Sequence, residues 1–225
     1  FGSFFVRLAE GQKLADARIF IPVRSAGVQF SGANAHLVIR NITATHPYND
    51  GFNIHGDCRD VVFENIRAIE CGDDGISAHE SAEYRVDGLV SIGNSTGITD
   101  TGTAKTTYRR VFLADNLAFD LYFLNAGRYA VSDAVVLSSS EHSLHIAGGK
   151  DQRSELRLDN VLIRRTGPTG SAAVAKDATL FARRFTIEGD KLKVDGKLDY
   201  DGSVAGRQEL IESVVPAEYR SRLAQ

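Results

Sequence analysis

Short segments in which apolar and polar residues alternate recur along the chain at a nearly constant interval. The first apolar members of these segments are Val28, Phe52, Ile76, Ile98, Leu121 and Leu144. Successive members are 24, 24, 22, 23 and 23 residues apart. Alternation with a period of two over four or five residues is typical of a β-strand and not of a helix. The pattern therefore predicts one strand at the same place in each of six successive repeats.

A second series of apolar segments lies between those of the first. Its members Ile42, Ile66, Leu89, Phe112 and Val135 are 23 or 24 residues apart. A fixed period with two or more strands per repeat indicates a β-solenoid, whereas an antiparallel sandwich has no reason to keep one period and phase. Coils of a solenoid pair about 4.8 Å apart, so equivalent residues stack in columns. Asn41, Asn65 and Asn160 share one phase, and we expect their amides to satisfy backbone groups at a bend.

The ends of the chain depart from the repeat within what we interpret as a single domain. Residues 1–15 are interpreted as an N-terminal cap or partial coil, residues 16–191 as the coils and residues 192–225 as a C-terminal cap. Pro216 precedes good helix formers, which predicts a short helix that covers the open end of the coils. Glycine-rich stretches between His142 and Ala172 predict loops that lengthen one coil.

The alternation also predicts which side chains face the interior. If the apolar positions of the repeats 50–55 and 74–79 point inward, then Asn53, His55, Ser77 and His79 point outward. We expect Val28, Phe52, Ile76, Ile98, Leu121 and Leu144 to form a continuous interior stack. We expect Phe63, Ile66, Val86, Leu89 and Phe112 to line the facing wall.

One stretch carries the candidate chemistry. Residues 50–55 (DGFNIH) return as residues 74–79 (DGISAH), so acids and histidines from two adjacent coils meet on one face. The candidate catalytic residues are Asp50, Asp73, Asp74 and His79, and the candidate substrate-binding residues are Asn49, Asn53, His55, Ser77, Glu80, Tyr122 and His145. The alternative is ordinary Asp-Gly turn chemistry. The equivalent positions in other coils are Ala26, Thr96, Phe119 and His142, so the acids do not simply follow the turn.

Composition narrows the function classes. The chain has 225 residues, 43% of them hydrophobic, which is enough for one large core. A net charge of −3 does not indicate a protein that binds nucleic acid. The sequence also shows neither an apolar segment long enough to span a membrane nor a signal peptide. Cys58 and Cys71 are too few for a disulfide framework, and whether they pair stays open. Because the chain begins at Phe1 and contains no Met, we expect it to be part of a longer product.

The coil length, the strands and the asparagine columns resemble the right-handed, single-stranded parallel β-helix of the pectin-lyase-like superfamily. The resemblance covers about residues 15 to 190. It implies an all-β fold of about seven coils of 22–24 residues with a short helical or irregular C-terminal cap. It also implies a secreted or periplasmic protein that acts on polysaccharides or oligosaccharides, although this architecture carries several kinds of chemistry.

Residues 49–51 (NDG) and 72–74 (GDD) are similar to the N-T-D and G-D-D motifs of the polygalacturonases, glycoside hydrolase family 28. The likeness implies that Asp74 is the general acid and that Asp50 and Asp73 hold the attacking water. The threonine of N-T-D is absent, residues 95–97 (STG) replace the family's G-H-G, and no R-I-K follows. Few cations lie on this face to receive uronates, so a neutral or only partly acidic glycan fits better.

Carboxylates on adjacent coils repel, so one can keep a proton and act as general acid while another stays ionised, as glycoside hydrolysis requires. This hydrolase needs no cofactor. A polysaccharide lyase is the alternative enzyme, in which Asp50, Asp73, Asp74 and Glu80 could hold Ca²⁺ and Lys105 or Arg128 would be the base. A non-catalytic glycan-binding or structural β-helix is the third hypothesis, and the oligomeric state stays open.

Overall fold

The chain forms a parallel β-helix of about seven coils. The computed structural model describes residues 7–19 and 21–223. The coils contribute strands to two sheets, and all recorded strand pairs in both sheets are parallel. This confirms the all-β parallel solenoid that the period of the apolar residues predicts.

Strands are numbered here in chain order. The first sheet contains β1 (Val28–Phe30), β4 (Phe52–Ile54), β6 (Asp74–Ala78), β8 (Thr96–Asp100), β10 (Phe119–Leu124), β12 (His142–Ala147), β14 (Ser171–Val174) and β16 (Leu192–Val194). The second sheet contains β2 (Ala35–Arg40), β5 (Arg59–Ile69), β7 (Glu83–Ile92), β9 (Lys105–Ala114), β11 (Arg128–Ser138), β13 (Ser154–Arg165), β15 (Ala178–Glu188) and β17 (Lys197–Asp201). The short β3 (Thr43–Thr45) pairs with β5. Helix α1 (Arg207–Val214) and the 3₁₀ helices Leu14–Asp16 and Ala217–Leu223 complete the described elements.

The register of the first sheet follows the predicted repeat. Val28, Phe52, Ile76, Ile98, Leu121 and Leu144 pair in succession. Leu144 then pairs with Ala172, so the segment between them is the lengthened coil. The last five of the six stacked residues are completely buried, and Val28 packs against the same core. The predicted interior stack is therefore confirmed.

Phe112 is the error in the predicted facing wall. Leu89 pairs with Val111 and not with Phe112, because this coil is one residue shorter than the sequence pattern suggests. A shift of one residue turns a side chain to the opposite face of a strand. Phe112 therefore points out of the coil and joins a second apolar cluster. Phe63, Ile66, Val86 and Leu89 lie in the interior as predicted.

The C-terminal segment covers this second cluster. Leu210 and Ile211 of α1 and Val215 behind it pack on the outer side of the second sheet, over Phe112 and Val135. Arg222 holds the segment with an ion pair to Asp115, at 2.7 Å. The segment after Pro216, where the sequence predicts a helix, is the 3₁₀ helix Ala217–Leu223, and α1 precedes it. Both lie along the side of the coils and not over their end. Strands β16 and β17 also continue the two sheets beyond Lys191, where the sequence predicts that the cap begins.

The predicted asparagine column lies at a bend, although its amides act differently from the prediction. Asn41, Asn65 and Asn160 adopt left-handed backbone conformations with φ of 58°, 51° and 58°. Their amide contacts are with other side chains, as in the 2.8 Å hydrogen bond from Asn160 to Asp133. The side chain that hydrogen-bonds to backbone groups is instead that of buried Asn94, which accepts from the Cys71 amide and donates to the Ala68 carbonyl. Cys58 and Cys71 are both free.

A buried polar cluster interrupts the apolar core. Asp100 is fully buried and its carboxyl oxygens lie 2.5 Å from the Thr106 hydroxyl, 2.9 Å from that of Tyr108 and 3.0 Å from that of Tyr84. The two tyrosine oxygens are 2.6 Å apart, so three contacts close a ring between Asp100, Tyr84 and Tyr108. The two hydroxyls supply only two hydrogens, and a protonated Asp100 supplies the third. Burial raises the pKa of Asp100 to about 7, which agrees with this count.

The pKa of Asp100 predicts how stability depends on pH. The folded pKa of about 7 exceeds the unfolded pKa of about 3.9, so the folded state binds more protons in this window. The contribution of Asp100 is complete below about pH 3.9 and is lost as the pH rises through about 7. Asp100→Asn keeps the shape without the titration and should flatten the fall in unfolding free energy, measured by urea denaturation from pH 4 to 8. Equal slopes in the variant and the wild type would contradict a protonated Asp100.

Candidate functional site

The two DG motifs lie where adjacent coils of the first sheet come closest. A side chain on Gly51 would place its Cβ 2.6 Å from the Gly75 carbonyl oxygen, and one on Gly75 would lie 2.6 Å from that of Gly97. None of these three glycines has a positive φ, so close packing requires them rather than a turn. The close approach sets the preceding acids, Asp50 and Asp74, on neighbouring coils.

The structure brings together the three predicted acids. One carboxylate oxygen from each of Asp50, Asp73 and Asp74 lies within 4.8 Å of the others. Asp50 and Asp74 are 3% and 8% exposed, whereas Asp73 is open to solvent. We call these three residues the acid cluster. It presents two buried carboxyl groups and one exposed one.

The hydrogen bonds of the acid cluster differ between its buried members. Asp50 accepts from the Ser77 hydroxyl at 2.7 Å and from the Asp74 amide at 3.2 Å, one bond on each oxygen. Asp74 accepts from the Thr99 hydroxyl at 2.8 Å. Part of the turn-chemistry alternative is therefore present, since Asp50 does satisfy a backbone amide. That role explains one oxygen of Asp50 and does not explain why Asp74 is buried beside it.

Burial and hydrogen bonding affect the pKa values of Asp74 and Asp50 differently. Desolvation is the largest cause that raises the pKa of Asp74 to about 8, and the carboxylate of Asp50 adds to it. Burial also raises the pKa of Asp50, while the hydrogen bonds from Ser77 and the Asp74 amide oppose the shift. At neutral pH, Asp74 therefore carries a proton beside a second buried acid whose hydrogen bonds favour its ionised form. This is the division of labour that acid/base catalysis by paired carboxyl groups uses.

His79 is connected to the acid cluster through Ser77. Its Nε2 lies 3.2 Å from the Ser77 hydroxyl, whose own hydrogen goes to Asp50. Nε2 must therefore carry the hydrogen that Ser77 accepts. The ring of His55 stacks on that of His79 with centroids 4.1 Å apart, and burial followed by the His55 charge lowers the pKa of His79. The histidine pair holds one side of the site, and Ser77 lies beneath it.

The predicted outward columns are present but more enclosed than expected. Asn53, Ser77 and Thr99 follow one another outside the core, yet they are only 5%, 0% and 8% exposed. The acid cluster on one side and the stacked histidines on the other close over Ser77, which contacts both. The side-chain oxygen of Asn53 is buried without a donor among the described residues. These side chains therefore point away from the core as predicted, but they are enclosed by their neighbours and not open to solvent.

The remaining predicted binding residues lie in three places: beside His55, beside Asp73 and further along the same face of the sheet. Glu80 is exposed in a left-handed conformation at φ 58°, 3.7 Å from His55, and it accepts from the Gly56 amide. Asn49 is half-buried, and its carbonyl accepts from the Asp73 amide at 3.1 Å. Tyr122 and His145 lie on the same face, two and three coils beyond Ser77.

Three residues that contact the predicted site residues on this face are not among those predicted from the sequence. Thr99 follows Ser77 in the register, but its hydrogen bond to Asp74 depends on a side-chain rotation that the sequence pattern does not contain. Phe119 and His142 follow Asp74 and Thr96 in the register and surround Tyr122 and His145. The signal was present, because these two residues occupy the position of the acids in the DG motifs. The candidate lyase bases, Lys105 and Arg128, belong to β9 and β11 of the other sheet.

No family model, curated protein or solved structure matches this chain. Within residues 7–19 and 21–223, no helix has both the length and the apolar character needed to cross a lipid bilayer.

Proposed function

We propose that this protein is a carbohydrate-active β-helix protein that hydrolyses a polysaccharide with the acid cluster. The observation that carries the proposal is the pairing of Asp74, whose pKa burial raises to about 8, with the exposed Asp73, within 4.8 Å between carboxylate oxygens. The parallel β-helix and the likeness of residues 49–51 and 72–74 to the polygalacturonase motifs support the same conclusion. Such a protein is expected outside the cytoplasm.

The reaction is a hydrolysis of a glycosidic bond. Asp74 donates its proton to the glycosidic oxygen as the bond to the anomeric carbon breaks. A water molecule adds to that carbon, and Asp73 takes the proton that the water releases. Asp50 keeps the pKa of Asp74 high and is itself held by Ser77, which His79 orients. Proton transfer from solvent to Asp74 and from Asp73 to solvent then restores the starting state.

The spacing of the acid cluster limits where an attacking water can bind. Carboxyl groups of an inverting pair are roughly 6.5–9.5 Å apart, which leaves room for a water between them. One oxygen of each acid here lies within 4.8 Å of the others, so we expect the water at the solvent-exposed side of Asp73 and not between Asp50 and Asp74. His55 and Glu80 follow the C-terminal ends of β4 and β6, 3.7 Å from each other, and are available to sugar hydroxyls there.

A Ca²⁺-dependent lyase is the second candidate, favoured by the same three oxygens as hard ligands for a cation. The position of Lys105 and Arg128 weakens it, because both lie on the sheet that does not carry the acid cluster. The two chemistries also give different products. Hydrolysis adds water, whereas elimination leaves an unsaturated sugar.

Product analysis distinguishes these functions. The protein is incubated with a panel of neutral and acidic polysaccharides, with EDTA or with added Ca²⁺, and reducing ends and ultraviolet absorbance are recorded. We expect reducing ends without unsaturated products, unaffected by EDTA, from a neutral or only partly acidic glycan. Unsaturated products that require Ca²⁺ would establish the lyase instead. Binding without cleavage in all conditions would leave a glycan-binding module and overturn the hydrolase.

A further inference from the structure

Four aromatic side chains form a continuous patch on the face that carries the acid cluster. They are Phe119, Tyr122, His142 and His145, and we call them the aromatic platform. Phe119 stacks on Tyr122 with centroids 4.1 Å apart and an angle of 19°, and on His142 at 4.6 Å and 22°. Tyr122 lies 5.5 Å from His145. All four are half-buried, so part of each ring is open to solvent.

The core does not require these rings. The interior positions of the same strands are filled by Leu121, Phe123, Leu144 and Ile146, which are completely buried. The outer side of the second sheet gives a contrast, because there the chain covers apolar residues such as Phe112 with its own C-terminal segment. Over the aromatic platform, the described part of the chain supplies no such cover. A half-exposed aromatic patch of this kind marks a binding surface.

The register aligns the platform with the acid cluster. Asp74, Thr96 and Phe119 pair in succession in one column, and Ser77, Thr99 and Tyr122 do so in the next. Two coil steps of about 4.8 Å put the platform roughly 10 Å from Asp74 along the helix axis. A ligand that touches both places must therefore be extended and several units long.

The chemistry of the platform fits an uncharged sugar ring. The axial C–H face of a pyranose packs on an aromatic face, while ring nitrogens and hydroxyls at the edge bond to its hydroxyl groups. His142 Nδ1 is already engaged by the Ser171 hydroxyl at 2.5 Å, so the hydroxyl of Tyr122 is the group of the platform that we expect to bond to a sugar hydroxyl. Burial and the neighbouring His142 lower the pKa of His145, so its ring is neutral and offers no charge to a carboxylate. A net charge of −3 disfavours nucleic-acid bases as the stacked rings.

We propose that the aromatic platform is a distal subsite that stacks a pyranose ring of a neutral glycan, about two sugar units away from the bond at the acid cluster. This inference rests on the proposed function for its cleavage point. It adds the substrate class, an uncharged chain of at least about four units, and one binding residue, His142. Phe119 is stacked between Tyr122 and His142, so it supports these two rings, and the sugar packs on the parts of Tyr122 and His142 that are open to solvent. The platform fixes the position of the chain so that one bond lies at Asp74.

The test compares oligosaccharide binding as a function of length. Neutral gluco-, manno- and xylo-oligosaccharides of two to six units are titrated by calorimetry into Asp74→Asn, which leaves them uncleaved, with and without Tyr122→Ala. We expect the loss of the tyrosine ring to weaken binding of the longest bound oligosaccharide about tenfold and to leave the disaccharide unchanged. Tyr122→Phe keeps the ring and should retain most of the affinity. Tyr200→Ala removes an exposed tyrosine of the second sheet and serves as the matched control.

The outcomes separate the two proposals. An equal loss at every length, no loss at any length, or no binding of the panel would overturn the distal subsite. Binding of a proline-rich peptide in place of sugars would overturn it as well, since such peptides also dock on aromatic surfaces. If Tyr122→Ala weakens long oligosaccharides while the wild type cleaves none of them, the subsite stands and the hydrolase fails. Far-UV circular dichroism and the melting temperature verify that Tyr122→Ala is folded.

Discussion

Asp74→Asn is expected to reduce turnover of the cleaved glycan by about 10²–10⁴-fold while leaving the protein folded. The substitution keeps the shape of the side chain and the hydrogen bond from Thr99 but removes the proton that the leaving oxygen needs. Because the carboxyl is already protonated at neutral pH, with a pKa of about 8, Asn also resembles its resting state. The measurement is kcat and KM from released reducing ends, and the loss should lie in kcat.

Asp199→Asn provides the control, since Asp199 is an exposed acid of β17 on the other sheet. It should leave kcat unchanged. The melting temperature of Asp74→Asn at pH 7 should equal or exceed that of the wild type, because an ionised Asp74 is unfavourable in its buried position. If the variant unfolds instead, the acids are structural turn residues. If it folds and turns over normally, another group donates the proton.

Phe52→Ala should lower the free energy of unfolding by about 3–5 kcal/mol. The side chain is completely buried between Val28 and Ile76, and its ring packs edge-on against Phe63 with centroids 5.8 Å apart. Truncation removes the transfer free energy of the ring and leaves a cavity that rigid neighbouring coils cannot fill. Urea denaturation followed by circular dichroism gives the value.

Phe181→Ala is the matched control for this loss. Phe181 lies half-buried on the outer side of the second sheet, where the guanidinium of Arg157 sits 4.3 Å from its ring centre. Its removal should cost about 1 kcal/mol or less. Similar losses in the two variants would show that Phe52 is not part of a close-packed interior, and the register of the whole first sheet would then be wrong.

The sequence predicts the first sheet better than the second, for a physical reason. Outer positions of the first sheet are mostly polar, so the apolar positions stand out and fix the register at Phe52 and Ile76. In β9, residues 111–114 are all apolar, because the outer positions are covered by α1 and the inner ones face the core. Without alternation there is no signal to show that Val111, and not Phe112, continues the column of Leu89.

The sequence predicts which residues of the site lie close together, but it does not predict their burial or their hydrogen bonds. Stacking of the coils brings Asp50 and Asp74 together in any register that buries Phe52 and Ile76. Burial of the acids, the chain of contacts through Ser77 to His79 and the protonation of Asp74 depend on side-chain packing over the sheet, which no periodicity encodes. Asp100 carried a readable signal, because it occupies a core position of its repeat.

The titration of the Asp74 carboxyl is the most direct test of the proposed acid, and it needs no knowledge of the substrate. Side-chain carboxyl carbon shifts are followed by NMR from pH 3 to 10 in the wild type, Asp74→Asn and Asp100→Asn. The predicted result is a resonance with a midpoint near pH 8 that disappears in Asp74→Asn and persists in Asp100→Asn. A resonance assigned to Asp74 by the same comparison that titrates near the ordinary value of about 4 would contradict the role of Asp74 as the proton donor.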